Sequence, residues 1–198
     1  MSDRWNMNRR DALFSLLLPA LGAGLASMPS FAASPTGGNS RNLVAYLSRS
    51  GNTRVVAGQL ERTFGADLFE IRTAEPYPDD YEEAVDLANR QRQARAIPRL
   101  AENVPVMARY DTVFLGFPIW GRDLPAPART FLATHDLSGK TLVPFITYGS
   151  SGPGRAPRTV AELAPRARIV EPFALKCDQE RDTLNSVSSW LRTHEREL

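Results

Sequence analysis

The chain has 198 residues, 42% hydrophobic and 23% charged, which bounds it to one ordinary globular unit with a real core. Its formal net charge of +2 singles out neither nucleic acid nor an anionic membrane as a partner. Cys177 is the single cysteine, so no internal disulfide exists. With only His135 and His194 beside it, no zinc or haem ligand set can be assembled, and no metal site is expected.

Residues 1–32 read as a cleavable export signal rather than as part of the fold. Asn8-Arg9-Arg10-Asp11-Ala12-Leu13-Phe14 leads from a basic region into an apolar stretch, Ser15 to Ala26. Ser30 and Ala32 then supply the small residues of a cleavage site. The arginine pair ahead of an apolar run resembles a twin-arginine signal. That implies the twin-arginine export machinery as a partner and a periplasmic or secreted destination. Pro19 and the glycines stop the run short of a membrane span, so no stable insertion is expected after cleavage. Cleavage after Ala32 leaves 21 of 24 basic and 20 of 22 acidic residues, a charge near +1. A Pro/Gly/Ser/Asn linker over 33–40 precedes a domain over 41–198.

From there strands and helices alternate. A strand over Leu43–Ser48 leads to a helix over Asn52–Phe64, and Asp67–Arg72 is a second strand. A Pro-rich turn then opens an acidic-then-basic helix, Tyr77 to Arg95. Asp111–Phe117 is a nearly continuous apolar run, as suits a strand buried on both faces. Pro125–His135 is a helix with proline near its start. Thr141–Tyr148 is the next central strand, with Pro144 against its grain. A short helix over Arg155–Leu163, a last strand over Ala167–Phe173 and a closing helix over Asp178–Leu198 complete the pattern. Five strands alternating with helices imply an open, doubly wound α/β sheet.

In such sheets ligands bind outside the C-terminal strand ends. The first of these ends carries Ser48-Arg49-Ser50-Gly51-Asn52-Thr53. A hydroxyl- and glycine-rich turn feeding a helix N-terminus is an anion cradle, because backbone N–H groups and the helix dipole converge there. The natural guest is a phosphate monoester. The competing reading is an ordinary βα turn with an N-cap at Ser50 or Asn52. The loop lacks both the Gly-Lys-Ser/Thr ending of an NTPase loop and the three-glycine dinucleotide spacing. Two further strand ends carry Pro118-Ile119-Trp120-Gly121-Arg122-Asp123 and Tyr148-Gly149-Ser150-Ser151-Gly152-Pro153-Gly154. A phosphate cradle with two glycine-bearing loops, one holding Trp120 and one Tyr148, suits a phosphorylated flat aromatic ligand. Trp120 as a core or interface aromatic, and Tyr148 as an ordinary strand-end tyrosine, are the alternatives.

Taken together, SRSGNT, GFPIWGRDLPAPARTFL and SGKTLVPFITYGSSGPG resemble the flavodoxin family over residues 41–195. The resemblance implies a five-stranded parallel sheet in the order 2-1-3-4-5 with helices on both faces. It implies FMN as the cofactor. Phosphate contacts fall to Ser48, Ser50, Gly51, Asn52 and Thr53, with Arg49 of the same loop also a cofactor-binding residue. Ring contacts fall to Pro118, Ile119, Trp120 and Gly121 and to Tyr148, Gly149 and Gly152. The flavin carries the chemistry, so no side chain is expected to be catalytic. The implied function is electron transfer to a redox partner protein or small-molecule acceptor. The alternatives are an FMN-dependent oxidoreductase acting on a quinone or other small molecule, and a scaffold without FMN.

Two departures stand out. No acid lies between Thr147 and Gly154, and Arg122 stands beside Asp123, so a less negative potential is expected than in an acidic flavodoxin. A long insertion, Thr73 to Val106, holds Tyr77 and Tyr81, which could cover the ring. Its arginines read as a solvated helix face with an Asp86–Arg90 pair. Cys177 starts no phosphatase-like Cys-x5-Arg cradle, since position 183 is Thr183, and reads as a buried or inert thiol. The Gly149–Pro153 segment is not a nucleophile elbow. His135 and His194 look like surface residues at helix ends.

Overall fold

The computed structural model describes residues 41–177 and 180–194. The expected signal (1–32) and linker (33–40) lie outside the described residues.

Four strands form the centre of the sheet: β1 (Asn42–Tyr46), β2 (Asp67–Glu70), β3 (Thr112–Pro118) and β4 (Thr141–Tyr148). β1, β3 and β4 are apolar at nearly every position, because helices cover both faces and successive residues point into different cores, whereas β2 lies at the sheet edge and carries Asp67 and Glu70. In β1, Leu43 and Ala45 enter one layer and Val44 and Tyr46 the other. Every pairing is parallel. The order is the expected one, β2-β1-β3-β4 and then an edge lane. That lane consists of two segments, β5 (Arg168–Ile169) and β6 (Phe173–Lys176), both paired with β4.

The split has a cause in Pro144. The Leu142 carbonyl accepts from Val170 N–H, and the Tyr148 carbonyl accepts from Cys177 N–H, so even-numbered residues of β4 face the edge lane. Pro144 shares that parity and has no N–H to offer. The register on β4 changes there from Leu142↔Ile169 to Phe145↔Phe173, with one extra residue on the edge. The edge strand expected over Ala167–Phe173 therefore breaks and resumes, ending beside the C-terminal end of β4.

Helices α1 (Asn52–Phe64) and α5 (Glu180–His194) cover one face, with Val56, Ala57, Leu60 and Val187 buried. Helices α3 (Ala126–Thr134) and α4 (Ala156–Leu163) cover the other through Ala128, Phe131, Leu132, Ala156 and Val160. Helix α2 (Tyr81–Gln93) starts four residues later than expected. Asp80 is its N-cap, its side chain accepting from Glu83 N–H, and Pro78 lies ahead of it.

Two expectations about single residues need correction. His135 is buried, 9% exposed, and not a surface residue. Its ring packs on Phe131 at 4.3 Å, its Nε2 accepts from Val104 N–H (3.1 Å), and its Nδ1 meets the Phe131 carbonyl (2.9 Å). Its pKa lies below the usual histidine value because burial opposes the charge. His194 is half-buried, stacked on Trp190 at 4.9 Å.

Candidate flavin cleft

The C-terminal ends of β1, β3 and β4 open into a cleft of ≈ 480 Å³. A cavity of ≈ 460 Å³ at the opposite end lies between the ends of α3 and α4, where no helix N-terminus opens.

The floor of the cleft is the first loop. Gly51 precedes α1 at φ 94°, a left-handed conformation that suits glycine, and no side chain caps the helix. The expected alternative, a cap by Ser50 or Asn52, is not formed. The Ser48 hydroxyl oxygen instead accepts from Gly51 N–H (3.2 Å) and Arg54 N–H (3.4 Å), which curls the loop inward. The N–H groups of Asn52 and Thr53, at the start of α1, find no partner among the described residues. Uncommitted donors at the positive end of a helix dipole attract an anion.

The second loop makes one wall. Gly121 (φ 60°) and Arg122 (φ 68°) form a tight turn closed by mutual Trp120–Asp123 backbone bonds of 3.3 Å. A left-handed arginine costs on the order of 1 kcal/mol. The third loop helps to offset it, since Arg155 N–H donates to the Arg122 carbonyl (3.0 Å). A Cβ on Gly154 would lie 2.2 Å from that carbonyl oxygen, so only glycine allows the approach. Asp123, 4% exposed, accepts from Thr159 Oγ1 (2.8 Å), Leu124 N–H (2.8 Å) and Arg155 Nη2 (3.2 Å). This carboxylate thus pins the two loops to α4.

The insertion makes the other wall. Ala84, Val85, Ala88 and Asn89 on α2 line the cleft with Tyr81. Tyr77 meets the Trp120 ring edge-on at 5.0 Å and donates its hydroxyl to Gln91. Burial pushes its pKa up to about 12. Arg92 lies over Gly121, where an added Cβ would fall 2.7 Å from its Nε. Arg49 crosses from the first loop, donating to the Asp79 carbonyl (3.0 Å) with its guanidinium 5.5 Å from the centre of the Tyr81 ring. No Asp86–Arg90 pair forms among the described residues, but Arg90, Arg92, Arg95 and Arg99 are exposed as expected, and the opposite, small-residue face of α2 walls the site.

The flavodoxin family model matches residues 41–193. The chain belongs to the flavodoxin family. No functionally curated protein is recognisably similar in sequence. Among solved structures, a provisionally named flavoprotein of Bacteroides eggerthii is 30% identical, with TM-score 0.66 over 77% of this chain and 96% of its own. One from Bacteroides uniformis is 27% identical, with TM-score 0.67 over 76% of this chain and 97% of its own. A Lactobacillus acidophilus flavoprotein solved in complex with FMN is 22% identical, with TM-score 0.59 over 73% and 97%, and is a likeness of fold.

Within this flavodoxin, the structure gathers Arg49, Ser50, Asn52 and Thr53 with Pro118, Ile119, Trp120, Gly121, Tyr148 and Gly149 on one cleft. Ser48 and Gly51 shape the first loop from behind, and Gly152 lies off the lining. The sequence expectation missed α2's Ala84, Val85, Ala88 and Asn89, along with Thr147 and Cys177. The small apolar stripe Ala84-Val85-Ala88 on a polar helix carried a signal. Thr147 and Cys177 carried none, the first sitting inside the central strand β4 and the second just beyond β6.

Proposed function

We propose that this flavodoxin binds FMN in the cleft and transfers electrons through it. One observation carries the reading: α1 leaves its first N–H groups uncapped where they face a cleft walled by Trp120 and Tyr148. The first loop and the α1 terminus would hold the phosphate, and the second and third loops the ring. The bound flavin would supply the redox chemistry. The protein's part is to bind, orient and shield. Trp120 is backed by Tyr77, and α2 closes the side that would otherwise admit water.

Electrostatics refine the reading. Among the described residues, Arg49 is the sole charged one lining the cleft, and none of them places a carboxylate there. Asp123 is committed to Thr159, Leu124 and Arg155. Negative charge added to the ring on reduction therefore meets no opposing carboxylate among the described lining residues. A less negative potential follows than in a flavodoxin whose ring is surrounded by acids. A spectroelectrochemical titration giving a strongly low-potential second electron would refute this.

The twin-arginine-like segment supports export of a folded protein with its non-covalent cofactor already bound. A periplasmic or secreted electron carrier docking on a partner protein fits best, since reduced nicotinamide is not expected there. A second reading, an oxidoreductase acting on a quinone or similar molecule, is favoured by a smaller cavity of ≈ 220 Å³ that shares Trp120 and Arg49 with the cleft. The purified mature protein should be yellow with flavin absorbance bands. A colourless protein that fails to take up FMN overturns the proposal. Rapid oxidation of NADH or NADPH with quinone as acceptor would favour the enzyme over the carrier.

A further inference from the structure

At the floor of the cleft, Thr53 Oγ1 and Thr147 Oγ1 lie 2.8 Å apart. They join the first turn of α1 to the end of β4. Thr53 is 1% and Thr147 3% exposed, and both line the cleft. The pair holds two hydroxyl protons, and one hydrogen bond uses one of them. Neither hydroxyl has another partner among the described residues. The Thr147 carbonyl is already engaged by Ile119 N–H (2.8 Å). One O–H donor is therefore left over, buried and at the cleft.

We propose that Thr147, acting through Thr53, sets the preference of this cleft for a phosphate ester. The proposal rests on the FMN reading and adds a residue to it. A donor left unmatched when a ligand expels water is costly, so the ligand must bring the acceptor. Thr53 stands in the first turn of α1, beside the free N–H groups of Asn52 and Thr53. An anionic oxygen is the acceptor that this setting rewards most. Either threonine can donate in this pair; with Thr147 as the donor, the bond holds the Thr53 side chain in one rotamer and leaves the remaining proton on Thr53. Thr147 is a positioning residue: it orients the contact rather than joining in the redox chemistry.

Thr147→Val keeps the shape and removes only the hydroxyl. Fluorescence titration of the apoprotein with FMN and with riboflavin separates phosphate recognition from ring recognition. The variant should bind FMN about tenfold or more weakly, as for loss of a hydrogen bond to a charged group, with riboflavin changed by less than about twofold. Thr147→Ser should restore FMN binding. Thr147→Ala carries the same expectation should the valine variant fail to fold. Unchanged FMN affinity, or equal losses for FMN and riboflavin, overturns the proposal. If the wild-type protein takes up neither flavin, the FMN reading falls and this inference with it.

Discussion

The first loop and the insertion flank the same cleft, yet they are built on opposite principles. The first loop recognises with backbone. Its donors are N–H groups, and what it presents depends on the φ of Gly51 and the inward curl set by Ser48. The insertion works with side chains. Small residues of α2 bring the helix against the cleft, Tyr77 backs Trp120, Arg92 reaches across to the second loop, and Asp79 and Tyr81 receive Arg49 from the first loop. Backbone recognition is local and intolerant of change. A side-chain wall is distributed, so single losses are shared among several contacts.

Substitutions that strike each region in turn test this contrast. The largest effect is expected at Gly51→Ala. Nothing lies within 4 Å of an added Cβ, so the cost is conformational alone. Relaxing φ 94° turns the Asn52 and Thr53 N–H groups away from the cleft. FMN titration should show a loss of about tenfold to a hundredfold, from the strain of a left-handed non-glycine residue together with lost charge-assisted bonds. A smaller loss of about tenfold is expected for Trp120→Ala, which removes one aromatic wall while Tyr148 and α2 remain. The same titration checks it, and riboflavin should lose as much as FMN.

Arg49→Ala should cost least of the three, about threefold or less. Its contacts are one carbonyl bond and an exposed cation–π contact with Tyr81. A loss as large as that of Gly51→Ala would mean that Arg49 binds the phosphate directly and that the contrast between the two regions is wrong.

His135 supplies a control remote from the cleft, at the opposite end of the sheet. Its folded pKa is depressed below 6.5, so the unfolded chain binds the extra proton first as pH falls. The stability contributed by neutral His135 is complete above pH 6.5 and is lost as pH falls from there toward the folded pKa. Thermal melts at pH 5 and pH 7 should therefore differ by less in His135→Gln than in the wild type.

Legibility from sequence follows the same divide. Helix α1 and strand β4 have the bounds that apolar periodicity predicts, Asn52–Phe64 and Thr141–Tyr148. The strand order was implied by the family resemblance that the three loop motifs carry, and the sheet has that order. Local information sufficed because each motif is read within a few residues of the chain. The edge lane was misplaced because its break answers Pro144, a residue on a different strand. The role of α2 was hidden for the same reason: Arg92 meets Gly121, and Ala88 meets the cleft, only once the chain has folded. The left-handed Arg122 is a further case, since a neighbouring loop holds it in place.

The most direct test of the account is a stoichiometric titration of the mature apoprotein with FMN, followed by flavin fluorescence and absorbance. One FMN per chain, quenched on binding and held more tightly than riboflavin, is the predicted result. No uptake, or equal affinity for FMN and riboflavin, would contradict a cleft whose floor is a phosphate cradle.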